Sequence, residues 1–247
     1  MSIANKLQMI AENEQKVYNA GYNKGKAEGR QAEYDRFWDE YQQNGNRNDY
    51  KNAFSGTGWT EETLKPKYPV KIVDTTATSR CAMEMFRRLG YNNSNILFDM
   101  TEICKRLDLS EALSIQGLLY NACAKNITLD ASKSKTLQEA FRCGDGGVLD
   151  NITLTVSSAC QNYTNAFYYC NNLTNLTFTD GSQIAASISL QWSPLTRQSI
   201  ESVMAALSTT ATGNTVTFKK AAVEAAFTTD EWNALAATRT NWTITLV

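Results

Sequence analysis

The sequence predicts a mixed α/β chain: a helical, coiled-coil-like stalk followed by an irregular solenoid of short parallel strands. Three observations carry that expectation. Ile3, Leu7, Ile10, Val17 and Tyr18 recur at helical spacings and draw one narrow apolar stripe. Short apolar triplets, most with a central threonine, return along the rest of the chain at separations typical of stacked repeats. The 247 residues contain no histidine, which removes Ser-His-Asp and Cys-His catalysis, His-ligated zinc and the commonest general base.

Composition sets further bounds. The length suits one large domain or two smaller ones, and 43% hydrophobic residues are enough for a real core. A net charge of −1 gives no footprint for nucleic acid or anionic lipid. No apolar run approaches the ~20 residues that cross a bilayer. The opening "MSIANKLQMIAENEQ" lacks the uninterrupted apolar core of a secretory signal, so the expectation is a chain folded in a cytoplasm. Cysteines stand at 81, 104, 123, 143, 160 and 170, with no CxxC pair to mark a zinc ribbon or a redox motif. Three disulfides are possible by count, but a reducing compartment favours small buried thiols.

The first segment, 1–43, reads as one helix or two in line. Its narrow stripe suits a short coiled coil better than a helix packed in a large core. Gly21, Gly25 and Gly29 follow four apart in "AGYNKGKAEGR", and each costs a helix about 1 kcal/mol relative to alanine. Close approach of neighbouring helices would justify them, with Tyr18 and Tyr22 covering the contact; a partly helical linker is the alternative. The candidate oligomer contact is therefore Ile3, Leu7, Ile10, Val17, Gly21 and Gly25.

The second segment, 44–70, is a collar or hinge. Before it, Tyr34, Phe37, Trp38 and Tyr41 give an aromatic helix face that stops at Asn44-Gly45. Phe54, Gly56, Gly58 and Trp59 make an aromatic-glycine turn, and Pro66 and Pro69 end the segment.

The third segment, 71–247, is the solenoid. Its strand triplets are "ILF" at 96–98, "ITL" at 127–129 and 152–154, "LTF" at 176–178, "VTF" at 216–218 and "ITL" at 244–246. Small-plus-aromatic or aliphatic pairs on short helical stretches precede most of them: "MF" at 85–86, "LY" at 119–120, "AF" at 140–141 and "AF" at 166–167. One such unit cannot bury its own apolar faces, so units must stack. Stacking puts Ile127, Leu129, Ile152, Leu154, Leu176 and Phe178 in one core. Thr128, Thr153 and Thr177 then point outward, and Thr217 and Thr245 are expected to continue that row. Asn126, Asn151, Asn175 and Asn241 precede strands and are expected to bond backbone at the turns. "CGDGGV" at 143–148 lacks the pattern of a phosphate or dinucleotide loop and reads as a turn. Atypical capping repeats start near 193, with Ser193 and Thr229 as expected helix caps and Ile200, Val203, Met204 and Leu207 on the buried face.

"AFYYCNNLTNLTF" resembles the BspA-like leucine-rich repeats of bacterial surface proteins and of phages of gut Firmicutes. The stretch from "IAENEQKVYNAGYNKGK" to "NAFSGTGW", and the closing "SPLTRQSIESVMAAL", "NTVTF" and "WTITLV", are similar to phage- and prophage-encoded proteins of that class. The resemblance implies a virion structural protein of the tail, baseplate or a host-contacting fibre, located in the virion. It implies no enzyme activity, no catalytic residue, no metal and no cofactor. Expected partners are the chain itself, as a trimer, other virion proteins, and a host-surface glycan or protein; neither nucleic acid nor membrane is expected.

Two other classes stand beside it. One is a bacterial leucine-rich-repeat adhesion or interaction protein outside any virion. The other, a glycan-cleaving β-solenoid, needs a close carboxylate pair, and the strand triplets hold no Asp or Glu. The candidate binding face is the threonine set Thr128, Thr153, Thr177, Thr217 and Thr245, although threonine equally suits any solvated strand face.

Overall fold

The computed structural model describes residues 70–74, 82–91, 97–144 and 146–247. The stalk at 1–43, the candidate contact residues Ile3, Leu7, Ile10, Val17, Gly21 and Gly25, and the collar up to 69 lie outside them. The described chain is mixed α/β with short parallel strands. In order these are β1 (Val70–Val73), β2 (Phe98–Asp99), α1 (Thr101–Cys104), β3 (Leu107–Glu111), β4 (Cys123–Asp130), β5 (Val148–Thr155), β6 (Leu176–Phe178), β7 (Ile188–Leu190), α2 (Arg197–Ala206), β8 (Asn214–Phe218), α3 (Lys220–Ala226), α4 (Thr229–Ala236) and β9 (Trp242–Leu246).

Three sheets form: β1 with β3, then β2-β4-β5-β6, then β7-β8-β9. Every pairing is parallel. Parallel neighbours require the chain to travel round and return, so each strand pair marks one tier of a stack. Ile127 pairs with Ile152, which pairs with Leu176, and Leu129 pairs with Leu154, which pairs with Phe178. All six are buried, as their alternation with threonine requires. Each contributes roughly 1.5–3 kcal/mol of burial that an isolated unit could not obtain.

The opposite wall of each tier is built differently from expectation. The apolar pairs lie not on helices but on turns, with left-handed backbone at Glu84 and Arg88, Gly117 and Asn121, Glu139, Asn165 and Tyr169. Helix would need N–H groups bonded four residues back. Here alternate N–H groups are taken by the next tier instead: Phe86 to Leu118 at 2.9 Å, Leu119 to Ala140 at 2.7 Å, Phe141 to Ala166 at 3.0 Å. This ladder stacks Phe86, Leu119, Phe141 and Phe167 as one fully buried column, with the Phe141 and Phe167 rings 5.3 Å apart. The true counterpart of the aromatic pairs in the second unit is thus Leu118-Leu119, not Leu119-Tyr120.

That one-residue shift places Tyr120 in a second column. The Arg87 guanidinium lies over the Tyr120 ring at 4.9 Å, and Arg142 sits between Tyr120 and Tyr168 at 5.1 Å from each. Tyr168 then meets Trp192 edge-on at 5.7 Å. Cations and rings therefore alternate tier by tier, each contact worth about 0.5–1 kcal/mol at a half-exposed site.

The stack changes after β6. The expected single spine through all six triplets does not form: Phe98 registers with Ala124 rather than with the 127–129 triplet, and 216–218 and 244–246 belong with β7 in a separate sheet. The cause of the second break is α2. Its Ser199 hydroxyl accepts the Leu176 N–H at 2.9 Å, and Ser202 accepts the Phe178 N–H at 2.8 Å. The open edge of β6 is thereby satisfied by side chains, and no further strand joins it.

Ile200, Val203, Met204 and Leu207 are buried as expected. The helix itself begins later than expected, with Thr196 rather than Ser193 as cap: the Thr196 N–H is tied to the Thr174 carbonyl at 2.9 Å, and Thr196 itself is extended. The cap of α4 is Thr228, one residue before the expected Thr229; its hydroxyl and Glu231 form a reciprocal capping box.

Candidate functional site

The threonine row exists, and it is two rows. Thr128, Thr153 and Thr177 are direct partners across β4, β5 and β6. Thr217 and Thr245 pair with each other and with Ser189 across β7, β8 and β9, on the second sheet. Thr128 and Thr177 are exposed and Thr153 is half-buried. Ser189 was missed because "ISL" carries serine where the other triplets carry threonine.

The first row runs beside a ladder of amides. Asn126 and Asn151 sit one residue before their triplets, both in left-handed backbone at φ of 55° and 53°, a conformation asparagine tolerates better than most residues. The sheet register skips this pair, and the side chains link instead. Asn151 Nδ2 donates to Asn126 Oδ1 at 2.9 Å, and Asn126 Nδ2 donates to Asp99 Oδ2 at 2.9 Å. Backbone bonding was expected at these positions; it occurs at Asn241, whose amide donates to Ser208 and Ala211 carbonyls. Asn175, one residue before Leu176 as Asn151 is before Ile152, donates instead to the Thr174 hydroxyl at 3.1 Å, again not to backbone.

Helix α1 walls one side of this face, leaving an open cleft of about 480 Å³ lined by Thr101, Cys104, Lys105, Asn126, Ile127, Thr128, Asn151 and Thr153. Its electrostatics are fixed by local bonds. Hydrogen bonds from Thr101, side chain and backbone, with a further one from Asn126, hold the Asp99 carboxyl below its ordinary range. Burial pushes the Cys104 thiol up to about 11, so it is protonated at neutral pH, and its sulfur lies 3.4 Å from the Thr128 N–H. Lys105 is paired with Glu102 at 2.7 Å. The cleft thus offers hydroxyls and amides on a rigid sheet. Cys104 and Asp99 were missed because neither belongs to a triplet and α1 is only four residues long.

The glycine turn at 143–148 is a close packing device. A Cβ at Gly147 would stand 2.8 Å from the Asn121 Cα, a backbone atom that cannot yield. Among the described residues no group of three or more Cys, Asp or Glu could hold a metal ion, and no helix is long and apolar enough to cross a membrane.

Comparison with known proteins finds no match: no protein-family model, no curated protein and no solved structure pairs with this chain.

Proposed function

We propose that this protein is a non-enzymatic attachment component of a bacteriophage particle, in its tail, baseplate or fibre. In this reading residues 71–247 are a leucine-rich-repeat-like solenoid that presents its threonine rows to another virion protein or to a host-surface receptor. The N-terminal segment, through Ile3, Leu7, Ile10, Val17, Gly21 and Gly25, joins three copies. The observation that carries the reading is the register of Thr128, Thr153 and Thr177 beside the Asp99–Asn126–Asn151 ladder. A flat, rigid, repeated array of donors and acceptors suits recognition along a surface, and repeat proteins commonly bind along such a face.

The test has two arms. Mass spectrometry and antibody labelling of particles from the source place the chain in the virion or exclude it. Purified protein carrying T128E, T153E and T177E is then compared with the parent for binding to host cells and to particles lacking the protein. The proposal expects the chain in the particle and at least a tenfold loss of one of the two binding activities in a variant of unchanged circular dichroism. Absence from particles would favour the bacterial adhesion reading; unchanged binding would remove the threonine face from the argument.

A further inference from the structure

Apart from Cys104, which lines the threonine cleft, the described cysteines serve neither the threonine rows nor the cation–ring column, and two of them meet. Cys143 and Cys170 stand on successive tiers joined by the Cys143 N–H donating to the Tyr168 carbonyl at 2.9 Å. Their sulfurs are 3.6 Å apart, and the Cys170 thiol also lies 3.0 Å from the Phe141 carbonyl. The other described cysteines direct their sulfurs elsewhere: Cys123 to Gly146, Cys160 to Asn162, Cys104 to the Thr128 N–H. The two sulfurs need to close by roughly 1.5 Å to reach the S–S bond length of about 2.04 Å.

We infer that Cys143 and Cys170 close a disulfide when the folded protein meets a small organic disulfide, cross-linking two successive tiers. Access is from the Cys143 side. Cys143 is 1% exposed and Cys170 0%, but Cys143 borders an open recess with Gly144, Gly147, Tyr169 and Asn171. The Cys143 thiol gives up its proton and its sulfur attacks one sulfur of the reagent. The reagent's S–S bond breaks, and one thiol leaves carrying that proton. Cys170 then loses its proton and attacks the Cys143 sulfur of the mixed disulfide, expelling the second thiol. Two protein thiols have lost two electrons and two protons, and the reagent has become two thiols. Burial holds the proton on Cys170.

The experiment uses the full-length, folded protein and 2-hydroxyethyl disulfide as the reagent. After overnight exposure the remaining thiols are alkylated in denaturant. Intact mass should show four alkylated cysteines in place of the six of the sequence. Cleavage at Asp150 and Tyr163 separates Cys143, Cys160 and Cys170, so fragments linked through Cys143 and Cys170 identify the pair. C143S and C170S should each abolish the cross-link and C160S should leave it intact. The cross-linked protein should melt roughly 5–10 °C above the reduced one. Six alkylated cysteines, a link between any other pair, or an unchanged melting temperature would overturn the inference, and the fragment map decides even where a serine variant fails to fold.

Discussion

The β2-β4-β5-β6 stack and the β7-β8-β9 stack use the same parallel tiers but finish them differently. In the first, the far wall is a ladder of turns closed by backbone bonds and buried rings, and the last strand's edge is sealed by Ser199 and Ser202. In the second, the connections are helices, and α4 buries none of its residues. Val216 and Phe218 are buried in β8, while their register partners Ile244 and Leu246 in β9 are only half-buried. The lesson is that a registered strand is not by itself a sealed core. A tier is stabilised by what covers it on the far side, and in the second stack that cover is partial: the half-buried Trp232 of α4 meets the Phe218 ring edge-on at 5.9 Å.

The sharpest way to break this contrast is to delete equivalent apolar mass in each stack. Phe141→Ala should cost about 3–5 kcal/mol, because its ring is wholly buried and stacked on Phe167. Leu246→Ala should cost less, about 1 kcal/mol, since its side chain is only half-buried. Urea denaturation measures both, and equal costs would erase the distinction.

Next in size is the seal between the stacks. Ser199→Ala leaves the Leu176 N–H without its acceptor in a buried place, a loss of about 1–3 kcal/mol. Ser202→Ala acts on the half-buried Phe178 N–H and should cost less. Amide exchange at Leu176 should accelerate in the first variant; unchanged protection would mean that the helix seals the edge by packing alone.

A smaller effect is expected at the helix that buries nothing. Thr228→Ala removes the capping box of α4, worth about 0.5–1 kcal/mol. Exchange should rise across 229–236 and leave the β4 and β5 amides untouched. Spread of the effect into those strands would show the two stacks to be one cooperative unit.

The smallest effect is a pH dependence at the amide ladder. The Asp99 pKa is lowered in the folded protein, chiefly by hydrogen bonds from Thr101. Its stabilisation is therefore present above the ordinary carboxylate value and lost as pH falls through the lowered one. Asp99→Asn should flatten the stability profile below about pH 4 and leave the alkaline side unchanged. Identical acid limbs in the two proteins would remove Asp99 from the ladder's energetics.

The triplets, their outward threonines and the buried partners Ile127, Ile152 and Leu176 were legible because strand alternation is written residue by residue. Asn126 and Asn151 were visible as positions, but their mutual bond was not, since it depends on register across twenty-five residues of chain. The cleft under α1 was invisible, because Cys104 and Lys105 meet Asn126 and Thr128 only when α1 folds over β4.

By itself, then, the sequence determined periodicity: which side chains alternate, where tiers recur, and that alternation hides one face and wets the other. Tertiary structure alone decided how the tiers close. Small-apolar pairs became turns because the next tier takes their N–H groups, and the threonine row ended at Thr177 because serine hydroxyls on α2 occupy the edge where another strand would pair. Both outcomes depend on competition between distant partners for the same backbone hydrogen bonds, and no local pattern records who wins.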